Sequence, residues 1–170
     1  MIPMKRDSAK CAAGGSKLVM AFKVCCIILF ILYLLLLLYL TMYSRHYGRG
    51  YVRRSMNLIP LRTILQYINA NINRDIIVTN LLGNVVAFMP MGFLLPLVFK
   101  RLSGFFRAVL TTAGASLVIE IAQYVTGVGA ADIDDIILNT LGGVLGFLIF
   151  LVCRSLCKLA TRSNNHNSIK

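Results

Sequence analysis

Residues 24–43 read VCCIILFILYLLLLLYLTMY, twenty positions without a charged side chain. At about 1.5 Å per residue, a helix of that length crosses a hydrocarbon core of about 30 Å. Backbone groups in hydrocarbon have no water to bond, and a helix satisfies them internally, so the run predicts a membrane-spanning helix. Lys5, Arg6, Lys10, Lys17 and Lys23 precede it, and Ser44-Arg45 follows. The apolar run is too long for a signal-peptide core and no small-residue cleavage site follows it, so a retained helix is expected.

Working outward, three further apolar runs appear. Residues 76–99 form a second span carrying Asn80, Asn84 and Pro90. Residues 108–125 form a third with Glu120 and Gln123, and residues 136–153 a fourth. Between the first two lies Asn57-Leu-Ile-Pro60-Leu-Arg62-Thr-Ile-Leu-Gln-Tyr-Ile68, in which Leu61, Ile64, Leu65 and Ile68 recur at i, i+3, i+4 and i+7. Pro60 suits a first helical turn, where its missing N–H costs nothing. The expected fold is therefore all-α: a polytopic bundle of four transmembrane helices with a short interfacial or re-entrant helix after the first span. The basic segments 1–23 and 154–170 read as tails flanking one helical domain at 24–153, the second of them frayed.

Composition agrees with this reading. Of 170 residues 58% are hydrophobic and 14% charged, against about half and about a quarter in a soluble domain. The net charge of +12 raises the question of nucleic acid. Here the basic residues flank apolar runs instead of interleaving with aromatics, so no nucleic-acid partner is expected and the bilayer is the expected surroundings. Alternating the segments places twelve Lys and Arg on one side and six on the other. By the positive-inside rule both termini face the cytoplasm. Six Arg in the 44–75 loop oppose that assignment. Cys11, Cys25, Cys26, Cys153 and Cys157 then lie at the cytoplasmic edge, where disulfides are not expected. Cys153 and Cys157 share a helix face but lack further metal ligands, so they read as small apolar wall residues.

The polar residues within the spans are few and converge on one depth. Asn80 and Asn84 open the second span, Glu120 and Gln123 sit late in the third, and Asp132, Asp134, Asp135 and Asn139 open the fourth. Asn80 and Asn84 are i, i+4. Glu120 and Gln123 are i, i+3. Counted as helical, Asp132, Asp135 and Asn139 form a stripe at i, i+3 and i+7. A carboxylate at mid-helix costs about 2.5–3.5 kcal/mol to insert, less near the interface, so such stripes face a bundle interior. The candidate polar pocket is Asn57, Arg62, Asn80, Asn84, Glu120, Gln123, Asp132, Asp135 and Asn139. Arg62, then Arg53, Arg54 or Arg74, are the counter-charges available to the acids. Alternatively Glu120, Asp132 and Asp135 could hold Mg²⁺, Mn²⁺ or Ca²⁺ through hard oxygen ligands. His46 and His166 lie too far off for a zinc-type site. The bland alternative is helix–helix glue, with Gly142 and Gly146 at small-xxx-small spacing and Gly143 beside them. Nucleophile sets, phosphate loops and dinucleotide fingerprints are missing, and no cofactor is expected.

Four blocks in order, Asn57-Leu-Ile-Pro60, Asn80-Leu-Leu-Gly-Asn84-Val-Val-Ala-Phe88-Met-Pro90-Met-Gly92, Glu120-Ile-Ala-Gln123 and Asp132-Ile-Asp-Asp135-Ile-Ile-Leu-Asn139-Thr-Leu-Gly142-Gly, resemble the VanZ-like family of bacterial membrane proteins. The resemblance runs from about residue 25 to 153. It implies a four-helix protein of the bacterial cell membrane, with Asn57, Pro60, Asn80, Asn84, Phe88, Pro90, Gly92, Glu120, Gln123, Asp132, Asp135 and Asn139 as motif positions. The family's founding member accompanies glycopeptide-resistance genes and lowers sensitivity to teicoplanin; most relatives are not linked to resistance. Many relatives carry an Arg in the stretch matching residues 129–131, and this chain has none.

Three readings follow. The first is a non-transporting envelope protein with an outer-facing polar pocket for a lipid-linked or cell-wall-related ligand or an amphiphilic glycopeptide. The second is a metal-assisted intramembrane enzyme using Glu120, Asp132 and Asp135 on a lipid-linked substrate. The third is a structural subunit of another membrane protein or of a homo-oligomer. Four short spans leave no room for a rocking inverted-repeat transporter unless the chain oligomerises.

Overall fold

A computed structural model describes residues 5–42, 56–69 and 74–167, with side-chain surroundings for 17–42, 56–69 and 79–162. In chain order the elements are α1 (Lys5–Met42), the two-residue strand β1 (Met56–Asn57), α2 (Arg62–Asn69), α3 (Arg74–Val98), a 3-10 turn (Lys100–Leu102), α4 (Phe105–Thr126), the strand β2 (Ala131–Asp132) and α5 (Ile133–Asn167). Among the described residues four helices are long and apolar enough to cross a membrane: Lys17–Met42, Thr79–Val98, Phe105–Thr126 and Ile133–Arg162. The protein is thus a multi-pass helical membrane protein with a short helix after the first span.

Two boundaries differ from the sequence reading. α1 already begins at Lys5, inside the segment read as a tail. α5 continues to Asn167 instead of fraying after Cys153. No Gly or Pro interrupts α5 beyond Gly146.

α3 and α5 form the most extensive contact and make the centre of the bundle. Glycine lets their backbones touch: a Cβ on Gly146 would stand 1.9 Å from the Met89 carbonyl oxygen, and one on Gly142 2.1 Å from that of Val85. From the α3 side, a Cβ on Gly92 would meet the Gly143 carbonyl at 1.9 Å. Close approach of this kind replaces the hydrophobic effect, which contributes little between helices already in hydrocarbon. Pro90 and Pro96 lie inside α3 without ending it, as neighbouring helices allow in a membrane. Nearby, the Tyr33 hydroxyl of α1 donates to the Ala87 carbonyl at 2.9 Å.

Phe88 is 1% exposed and centres a core of Phe30, Leu37, Met91, Leu95 and Ile119, drawn from α1, α3 and α4. A smaller core of Ala108, Phe147 and Phe150 joins α4 to α5. α1 lies at the periphery, with Cys26, Phe30 and Leu37 buried and most of its other large side chains open to lipid.

Candidate functional site

The N-terminal ends of α3 and α5 and the C-terminal end of α4 meet at one end of the bundle. α4 stops because Gly127 takes a left-handed conformation (φ 71°), which a residue without Cβ adopts at no steric cost. The Val128 and Gly129 amides then donate back to the Gln123 carbonyl, reversing the chain. β2 follows and pairs in parallel with β1, in a register that sets Asn57 against Asp132. The loop after the first span is thereby tied to the head of the fourth.

Asp132 and Asp134 make that tie polar. Asn57 donates through Nδ2 to Asp132 Oδ1 at 3.0 Å, and the Thr63 hydroxyl donates to Asp132 Oδ2 at 2.5 Å. Asp132 Oδ1 also accepts the amide of Asp134 at 2.9 Å, an Asx turn that starts α5. Asp134 is fully buried. Its Oδ1 accepts the Leu61 amide, and its Oδ2 accepts those of Thr63 and Ile64 at 2.7 and 3.1 Å. These are amides at the start of α2, which have no partner within their own helix. A carboxylate there also meets the positive end of the helix dipole. Leu61 holds φ at 65°, a left-handed conformation costing a residue with Cβ about 1–2 kcal/mol. The bond from its amide to Asp134 offsets that cost, since a hydrogen bond to a charged group contributes about 1.5–3 kcal/mol.

Deeper in the seam, Asn84 on α3 donates through Nδ2 to Asp135 Oδ1 on α5 at 2.5 Å, both residues half-buried. One turn earlier on α3, Asn80 donates to the Tyr67 hydroxyl of α2 at 3.3 Å. Glu120, 3% exposed, accepts the Asp132 amide on Oε2 at 3.0 Å. Asn57, Asn80, Asn84, Glu120, Asp132 and Asp135 all lie at this end of the bundle, a crown of amides and carboxylates in which Asn57 and Glu120 bond to Asp132, Asn84 to Asp135 and Asn80 to Tyr67.

Three of the expected pocket residues lie elsewhere. Gln123 is buried, and its Nε2 donates to the Thr41 carbonyl at 2.9 Å, tying α4 to α1. Asn139 points to α4, donating to Ser116 Oγ at 2.8 Å, and its Oδ1 is buried without a partner among the described residues. Arg62 is exposed on the outer side of α2, beside Ile59, Pro60, Leu65 and Gln66 around an open depression of about 720 Å³. It makes no ion pair with the acids. Backbone amides, the Asn57 side-chain amide and the Thr63 hydroxyl, not Arg62, serve Asp132 and Asp134. Arg53 and Arg54 lie outside the described residues, as does the side chain of Arg74.

The cation-binding set of Glu120, Asp132 and Asp135 is not assembled. Among the described residues no three His, Cys, Asp or Glu side chains are grouped to hold a metal ion. Glu120 Oε2 accepts the backbone amide of Asp132, while the Asp132 oxygens accept from Asn57 and Thr63. The helical stripe through Asp132, Asp135 and Asn139 also needs correcting. Asp132 belongs to β2, one residue before α5, so helical spacing does not run through it. Asp134, which that spacing passed over, is the most enclosed acid of the crown. The Asp-x-Asp spacing of an Asx turn was the available sign. Thr63 and Ser116 carried no comparable signal.

A four-span helical bundle, capped at one end by a tethered amphipathic helix over a crown of acids and amides, defines the class of membrane protein. The chain belongs to the VanZ/LLP1 family, whose model matches residues 30–154. It is similar to Protein VanZ of Enterococcus faecium, 32% identical over 126 residues that make up 72% of this chain and 71% of the relative. No solved structure matches it.

Proposed function

We propose that the protein is a non-transporting envelope protein whose crown binds the polar part of an amphiphile at the outer membrane face. The ligand class is a lipid-linked or cell-wall-related molecule, or a glycopeptide antibiotic of the teicoplanin type. Charge asymmetry supports the orientation, with both termini cytoplasmic and the crown outward.

One relationship carries the reading. Asn84 and Asp135 are half-buried polar groups on two different spans, at the end of the bundle where α2 docks with Leu65 and Ile68 exposed. A ligand reaching them must carry hydrogen-bonding groups and also cover apolar surface. Exposed Arg62 on the same helix suits an anionic group, which a guanidinium pairs bidentately. Family membership supports the link to glycopeptides.

The test is growth of a susceptible host under teicoplanin with the intact chain, with Asp135→Asn and with Arg62→Gln, at matched membrane expression. The intact chain is expected to lower sensitivity. Asp135→Asn, which keeps the shape and loses the charge, is expected to return it to the level of the empty host. An Asp135→Asn chain that protects fully would overturn the proposal.

A further inference from the structure

A second site lies at the opposite end of the bundle, independent of the reading above. From Asp134 to Arg154 is twenty residues of α5, a rise of about 30 Å, which is one hydrocarbon thickness. Arg154 therefore stands at headgroup level on the far face. There α5 continues beyond the bundle and, with α1 and α3, encloses a groove of about 900 Å³. Its apolar walls include Leu29, Phe93, Leu97 and Phe150. Its rim carries Arg154, Lys158 and Arg162, at i, i+4 and i+8 on one helix face. No acidic side chain is among its lining residues, and none of the three cations has an ion-pair partner among the described residues.

An apolar slot under a row of cations has the zoning of a phospholipid. The geometry points to a binding site for an anionic glycerophospholipid, with an acyl chain between α1, α3 and α5 and its phosphate against Arg154, Lys158 and Arg162. Basic pockets between helices at a membrane face take anionic headgroups in this way. A zwitterionic lipid offers the same phosphate, but its own cation is repelled by the row. Cys153 and Cys157, on the same wall, are small enough to leave the slot open.

The experiment is native mass spectrometry of the full chain released from micelles holding equal phosphatidylglycerol and phosphatidylcholine of matched acyl chains. The intact protein is expected to retain phosphatidylglycerol preferentially. Arg154→Gln, Lys158→Gln and Arg162→Gln lie on an exposed helical extension and leave the packed bundle intact. Each is expected to lower that preference about fivefold, the three together bringing it close to one. The charge-matched variant Lys100→Gln/Arg101→Gln/Arg107→Gln, in the α3–α4 turn and the first turn of α4 on the same face, is expected to keep it. Cys153→Trp fills the slot without altering charge and is expected to lose the bound lipid. Equal retention of the two lipids, equal loss in the charge-matched variant, or unchanged binding in Cys153→Trp would each overturn the proposal. So would a dimer that carries no lipid, which would place a second copy in the groove.

Discussion

The Asp134 carboxylate stands 2.7 Å from the backbone amide of Thr63, a residue 71 positions earlier in the chain. Two complete spans, α3 and α4, lie between them. α2 has eight residues, too few to be stable as an isolated helix. Docking on Asp134 is what lets it form, and its place over the crown follows from that contact.

Asp134→Ala leaves the amides of Leu61, Thr63 and Ile64 without their acceptor, at about 1–3 kcal/mol for each donor left unsatisfied. α2 is expected to detach while α3–α5 contacts persist. Hydrogen exchange at those three amides should accelerate at least tenfold, with little change in the α3 and α5 cores. Asp134→Asn retains one acceptor oxygen and should fall between. Unaltered protection in Asp134→Ala would mean that something else holds α2.

Thr63 touches both acids, through its amide to Asp134 and its hydroxyl to Asp132. Thr63→Val removes only the second contact and keeps the shape. A loss of about 1–2 kcal/mol in thermal or denaturant unfolding in detergent is expected. The double variant with Asp132→Asn should be less destabilised than the two single losses combined, with a coupling above about 0.5 kcal/mol. Additive losses would show that the two side chains act separately.

Gly146→Ala sets a Cβ 1.9 Å from the Met89 carbonyl oxygen, which belongs to helix backbone and cannot swing aside. α3 and α5 must then separate, at roughly 1–3 kcal/mol or more. Gly114→Ala on α4 is the matched control, because its Cβ meets nothing within 4 Å. There alanine should be neutral or stabilise by up to about 1 kcal/mol. Melting temperatures of the two variants in one detergent should therefore move in opposite directions or, at the least, differ clearly.

Asn139 and Ser116 bond across α5 and α4 while the amide oxygen of Asn139 has no partner among the described residues. Ser116→Ala strands the amide donor as well, and should cost about 0.6 kcal/mol, the average for such bonds in membranes, and up to about 1.7. Asn139→Leu combined with Ser116→Ala removes donor and acceptors together and should restore or exceed the original stability. A double variant less stable than Ser116→Ala alone would assign the Asn139 oxygen a necessary partner.

The four spans could be found without coordinates because the signal is local and repeated. Twenty uncharged residues at 24–43 allow few structures other than a spanning helix. Asn80, Asn84, Glu120 and Asp135 share a common depth for the same reason, since alternating spans put the end of one beside the start of the next. Arg62 marks the limit of such local signals: its place on an amphipathic segment makes it a candidate counter-charge, yet α2 turns it outward while Thr63, Ile64 and Tyr67 are partly buried.

Hydropathy and charge order along the chain determined that it is membranous, all-helical and four times spanning, because each of those properties depends on neighbours within some twenty positions. Which donors serve which acids was decided only by the folded bundle. Asp134 caps a helix from the far side of two spans, and Gln123 and Asn139 turn to α1 and α4 rather than to the crown. A buried oxygen is satisfied by whatever group the fold carries to within about 3 Å, and a one-dimensional pattern does not encode that distance.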